Sequence, residues 1–157
     1  MTEPRLTHVD ETGAARMVDV SAKAVTAREA TAAGRVLVSP EVVALLRGEG
    51  VPKGDAIAVA RIAGIAGAKR TPDLIPLCHP IALHGVTVEL EVTDEAVEIT
   101  ATARTADRTG IEMEALTSVA VAGLTVIDMV KAVDPRAAIT DVRLLRKSGG
   151  KSGVWTR

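Results

Sequence analysis

From Thr109 to Lys131 the chain reads TGIEMEALTSVAVAGLTVIDMVK, apolar on almost every side of a helix yet carrying Glu112, Glu114, Asp128 and Lys131. A helix apolar all round belongs in a core or an interface. Charges on such a helix are costly to bury unless each has a partner or a purpose. At about 100° per residue, Glu114, Thr117, Ser118, Thr125 and Asp128 share a stripe about 100° wide, and Lys131 lies about 60° beyond Asp128. Glu112 points to nearly the opposite side. At a rise of about 1.5 Å per residue, Glu114 and Asp128 are about 21 Å apart along the axis. A single small-molecule site on one chain can hardly use both. Either there are two sites, or the two ends of the helix serve composite sites shared with a neighbouring subunit.

The pattern elsewhere predicts a sheet and a second helix. Arg16 to Ser21 alternates like a short strand, whereas Lys23 to Val38 is ambiguous between helix and strand. Ser39 and Pro40 make a helix start, as N-cap and first helical residue, and Gly48 to Gly50 end that short helix. A second helix begins near Pro52 to Asp55 and runs through Ala68, with Ala60, Ala63, Gly64 and Gly67 small enough to admit another backbone. Thr71 to Pro80 holds three prolines and reads as extended. Val86, Val88, Leu90 and Val92 alternate with polar residues, as do Val97, Ile99, Ala101 and Ala103, which predicts an antiparallel hairpin with one wet face. Pro135 ends the long helix, and Ile139 to Leu145 forms a last strand before the basic, glycine-rich stretch from Arg146 to Gly153. There is no internal repeat and no linker. Residues 1–15 read as a flexible lead-in and 16–157 as one domain. The elements predict an α+β two-layer sandwich, an antiparallel sheet packed on helices, ferredoxin-like in plan.

Composition narrows the function classes. With 157 residues, no Phe, no Tyr and only Trp155, the chain has a core of Ala, Val, Leu and Ile and no aromatic platform for stacking bases. A formal net charge of −1 gives no overall basic footprint for nucleic acid. The single cysteine, Cys78, excludes an intrachain disulfide. The N-terminus lacks the order of a signal peptide, no apolar run reaches the length of a membrane span, and the expected location is cytoplasmic. Gly150-Lys151-Ser152 is not a P-loop, because Leu145 stands where that pattern needs glycine and no helix follows. Lys147 and Lys151 beside bare glycine N–H groups nonetheless suit a phosphate.

Other candidates keep two readings each. Cys78 and His79 sit on a proline-stiffened loop suited to binding, or are a structural thiol and a hydrogen-bonded imidazole. No ligand spacing supports a protein-held metal, although magnesium accompanying a phosphorylated ligand stays open. Asp128 and Lys131, at i and i+3, form a structural ion pair or a proton-exchanging one. Lys53, at a glycine-flanked helix start, is placed to meet an anion. Lys23 and Arg28 are surface charges or cations of a pocket.

Four stretches in this order and spacing, LTHVDETGAARMVDVSAKAVTAREA, KGDAIAVARIAGIAGAKRTPDLIPLCHP, TGIEMEALTSVAVAGLTVIDMVKAVD and VRLLRKSGGKSG, resemble the MoaC family of molybdenum cofactor biosynthesis. The resemblance implies a homohexamer, a trimer of dimers with active sites at subunit interfaces. It also implies the rearrangement of 3',8-cyclo-7,8-dihydroguanosine 5'-triphosphate, supplied by a radical enzyme, to cyclic pyranopterin monophosphate with loss of diphosphate. Position by position, Asp128, Lys131 and Lys53 match the family's catalytic residues. Leu77, Cys78, His79, Met113 and Glu114 match its substrate contacts, and Glu112, Asp19, Lys23, Arg28, Lys147 and Lys151 match further pocket positions. Combined with the helix geometry, the expectation is that Met113 and Glu114 of one chain meet Asp128 and Lys131 of another.

Overall fold

Alternation builds the sheet. In a computed structural model describing residues 4–48 and 55–157, β2 (Gly85–Val92) and β3 (Ala96–Asp107) pair antiparallel in full register, from Gly85 opposite Arg104 to Val92 opposite Val97. The ambiguous segment resolves as a strand, β1 (Thr26–Leu37), lying between β3 and β4 (Ala138–Ser148). Its neighbours decide the matter. β1 lies antiparallel to strands on both sides, which satisfies its backbone groups along either edge.

The sheet order is β2-β3-β1-β4-β5, with the two-residue β5 (Trp155–Thr156) folding the tail back on Arg146 and Lys147. The helices between the strands are α1 (Pro40–Arg47), α2 (Ala56–Lys69), the single-turn α3 (Thr71–Leu74) and α4 (Glu112–Val130). Strand, helices, two strands, helix, strand, in that spatial order, is the ferredoxin-like α+β plan.

One face of the sheet is dry. Ala30, Ala32 and Val36 of β1, with Val97, Ile99, Ala101 and Ala103 of β3, point into the core against Val119, Ala122 and Val126 of α4. The other face carries the polar alternates, among them Thr31 bonded to Thr102 and Glu29 paired with Arg104 and Arg146. The small residues expected to admit a neighbouring backbone do so. A Cβ on Gly64 would lie 3.1 Å from the Ser118 carbonyl, and one on Gly67 would lie 2.8 Å from Val121 Cβ. α4 is long and apolar enough to cross a membrane by length and composition, but here it is a core helix packed on both the sheet and α2.

Three expectations need correction. Arg16 to Ser21 forms no strand, because its alternation finds no sheet edge to pair with. Thr71 to Pro80 is not extended throughout, since Pro72 occupies the first turn of α3, where its missing N–H costs nothing. α4 begins at Glu112 rather than Thr109, and Lys131 caps its end. Within the supposed lead-in, Asp10 closes a tight turn by accepting from Thr12 and Ala14, while Val9 bridges Ala15. Ser39 caps α1 as expected, accepting from Val42 N at 3.3 Å.

Candidate active site

The first turn of α4 is where polar chemistry enters the core. Acids there face the positive end of the helix dipole. Glu112 and Glu114 take up that position in different ways. Glu112 is partly buried and pairs with Lys147 of β4, Oε1 to Nζ 3.2 Å. Glu114 is only 3% exposed, and burial raises its carboxyl to about 7, against the pull of its own backbone N–H and with a further push from the charge of Glu112.

The loop carrying Cys78 comes close to this turn. Burial pushes the Cys78 thiol up, and the charge of Glu114 adds to the effect. His79 Nε2 donates to the Val18 carbonyl, tying the loop to the segment that carries Asp19. The Asp19 carboxyl is held below its usual range by the Ser21 side chain and then by the Ser21 N–H, which donates at 2.9 Å.

Among the described residues, two cavities open beside these groups. The larger, about 830 Å³, gathers Lys23, Arg28, Lys147 and Lys151 with Glu112 and the glycine turn after β4. Gly149 and Gly150 have φ of +93° and +72°, a region open to glycine, and bring their backbone against β1. A Cβ on Gly150 would overlap the Arg28 guanidinium, 3.0 Å from Cζ. Glu29 also lines this cavity, but its charge is met by Arg104 at 2.6 Å and Arg146 at 3.2 Å. The cavity wall thus carries a surplus of positive charge.

The smaller cavity, about 470 Å³, is lined by Asp19, Ser21 and His79 together with Asp107 and Arg108, and Thr109 borders both spaces. Hydrogen bonds brace the junction. Arg28 Nε donates to the Asp107 carbonyl and Arg108 Nε to the Lys23 carbonyl, each at 3.1 Å. Sequence reasoning missed Asp107, Arg108 and Thr109. Their signal was slight: a charged pair closing an alternating strand just before a Thr-Gly helix entry.

The far end of α4 is different. Asp128 and Lys131 meet at 2.8 Å, both side chains more than half exposed, and neither lines either cavity. Leu77 is partly buried and Met113 is exposed, and these too lie outside both cavities. Lys53 falls outside the described residues. Among the described residues, no three His, Cys, Asp or Glu side chains gather as a metal-binding group.

The sequence profile of the MoaC family matches residues 17–150, which include all of α4, the lining of the smaller cavity and most of the lining of the larger. The chain belongs to the MoaC family. Among its MoaC relatives, the cyclic pyranopterin monophosphate synthase of Streptomyces coelicolor is 74% identical over 155 residues, 99% of this chain and 91% of the relative. Cyclic pyranopterin monophosphate synthase 2 of Mycobacterium tuberculosis is 60% identical, covering 97% of this chain and 91% of its own. The synthase of Parvibaculum lavamentivorans is 57% identical, covering 99% and 98%.

Proposed function

We propose that this MoaC-family chain is a cyclic pyranopterin monophosphate synthase, a lyase of molybdenum cofactor biosynthesis that rearranges the cyclic dihydroguanosine triphosphate and expels diphosphate. The observation that carries the reading is the cation-lined cavity at the first turn of α4. Its four cations and glycine N–H groups suit a triphosphate.

Lys147, Lys151, Lys23 and Arg28 neutralise the phosphates. Lys131, oriented by Asp128, and Lys53 exchange protons as the nucleotide ring opens and recloses to the pterin. A sugar hydroxyl then attacks the innermost phosphorus. The new O–P bond forms as the bond to diphosphate breaks, the hydroxyl proton passes to a base, and the lysines stabilise the leaving group. The chain itself requires no cofactor in this reading, and any magnesium ion accompanying the triphosphate would arrive as part of the substrate. Leu77, Cys78, His79, Met113 and Glu114 hold the ring by hydrogen bonds and aliphatic contact, in a chain without Phe or Tyr.

Each site is shared between chains of a homohexamer, a trimer of dimers. Two features support this arrangement. The two ends of α4 are about 21 Å apart, and the helical layer leaves Val59, Ile62, Leu74 and Leu124 exposed. The protein works in the cytoplasm, downstream of a radical enzyme acting on GTP.

The test is incubation of purified protein with the cyclic dihydroguanosine triphosphate, following both diphosphate and the pterin. Stoichiometric release of both is expected. Binding without diphosphate would replace the enzyme with a nucleotide-binding oligomer.

A further inference from the structure

Glu112 reaches Lys147 by an unusual path. Its carboxylate folds back over the chain just ahead of α4 and lies where a side chain on Gly110 would be. A Cβ on Gly110 would overlap Glu112 Oε2 and lie 2.7 Å from both Cδ and Oε1. These three nearest atoms all belong to Glu112. Gly110 is not among the residues with positive φ, so its backbone would accept alanine without strain. What glycine supplies here is therefore room for a carboxylate, not conformational freedom.

We propose that Gly110 is a positioning residue of the active site: the absence of its side chain sets the Glu112 carboxylate against the Lys147 ammonium at the cavity wall. The argument combines three observations: the overlap at Gly110, the 3.2 Å ion pair, and the presence of Gly110, Glu112 and Lys147 on one cavity. A methyl group at 110 leaves the fold intact, because only the end of a flexible side chain must move. It displaces the carboxylate that pairs with Lys147. Gly150 clears space for Arg28 on the same cavity in a similar way, but its φ of +72° would mix backbone strain into any substitution. Gly110 separates the two effects.

The turnover part of this proposal rests on the functional reading above, so the experiment has two arms. Gly110→Ala, Glu112→Ala and the double variant are compared for kcat and KM on the nucleotide, and for affinity toward inorganic triphosphate by calorimetry. Gly110→Ala is expected to lower kcat/KM about tenfold or more when Glu112 is present, and less than about twofold in the Glu112→Ala background. The triphosphate Kd should shift about threefold or more in the first background and stay unchanged in the second. Thermal midpoints of Gly110→Ala and the parent should agree within a few degrees. Equal effects in both backgrounds would overturn the proposal, as would no effect in either, or a collapse of folding in Gly110→Ala. Absence of turnover in the parent protein would sink the functional reading instead, and the triphosphate cycle would still decide the role of Gly110.

Discussion

The two ends of α4 carry similar charges in opposite settings. At the N-terminal end, Glu114 is buried and Glu112 is paired with Lys147 across elements that meet only through the tertiary fold. At the C-terminal end, Asp128 and Lys131 pair within one helical turn and face solvent. The first arrangement has walls, a cavity and a carboxyl driven to about 7. The second, among the described residues, has charge without a cavity around it. Among the described residues, the N-terminal end of the helix combines charge with desolvation and the C-terminal end does not. The proposed function draws on both ends, and the hexamer proposed above would supply walls for Asp128 and Lys131 from another chain.

The most direct way to break this comparison is to remove the exposed end. Lys131→Ala is expected to reduce kcat by roughly a hundredfold to ten-thousandfold, the range typical of a lost general acid or base. Near-normal turnover would remove Lys131 from the chemistry. Mixing chains comes next in size. Lys131→Ala and Lys147→Ala subunits, each nearly inactive alone, should recover activity when refolded together, up to about a quarter of the parent value if assembly is random. Sites contained in one chain would show no recovery, and the two ends of α4 would then need separate explanations.

Much of this was legible from periodicity. The hairpin, the core helix and the cap at Ser39 depend on local spacing, and each sits close to where the pattern puts it. Lys23 to Val38 was ambiguous because its inward positions Ala30, Ala32 and Gly34 are small, and alanine, a strong helix former, recurs at Ala27 and Ala33 on the other face and blurs the alternation. Arg16 to Ser21 misled for the opposite reason, having alternation but no edge. The helix wheel separates Glu112 from Glu114 correctly. It could not show that Glu112 turns back over Gly110 to a lysine on β4, because that contact joins residues distant in sequence. Arg108 was equally invisible, since its hydrogen bond to the Lys23 carbonyl exists only after β1 and β3 pair.

A smaller effect sharpens the buried end. With its folded-state proton affinity raised from 4.5 to about 7, Glu114 binds its proton more tightly in the native state than in the unfolded chain. Stability from this group is therefore full below about pH 4.5, falls as pH rises toward 7, and is level above. Glu114→Gln keeps the shape and discards the charge. Its unfolding free energy should exceed the parent's by on the order of 3 kcal/mol at pH 8, with the gap closing below pH 4.5. Denaturant titrations at both pH values measure it. A constant gap would mean that Glu114 is not desolvated as its burial indicates.

The smallest expected effect belongs to the exposed end, and its size carries information. An i,i+3 pair with both partners more than half in water gains little, because solvent screens the attraction and two long side chains lose freedom. Lys131→Met should therefore change the stability of the dilute chain by less than about 1 kcal/mol, with still less effect in high salt. If a partner chain covers the pair, the same substitution leaves Asp128 in a drier setting within the assembly, and the loss should grow with protein concentration. Thermal midpoints measured across a concentration series, for parent and Lys131→Met, separate the two terms. A large loss independent of concentration would make the pair a structural device of the single chain, and the contrast between the ends of α4 would collapse.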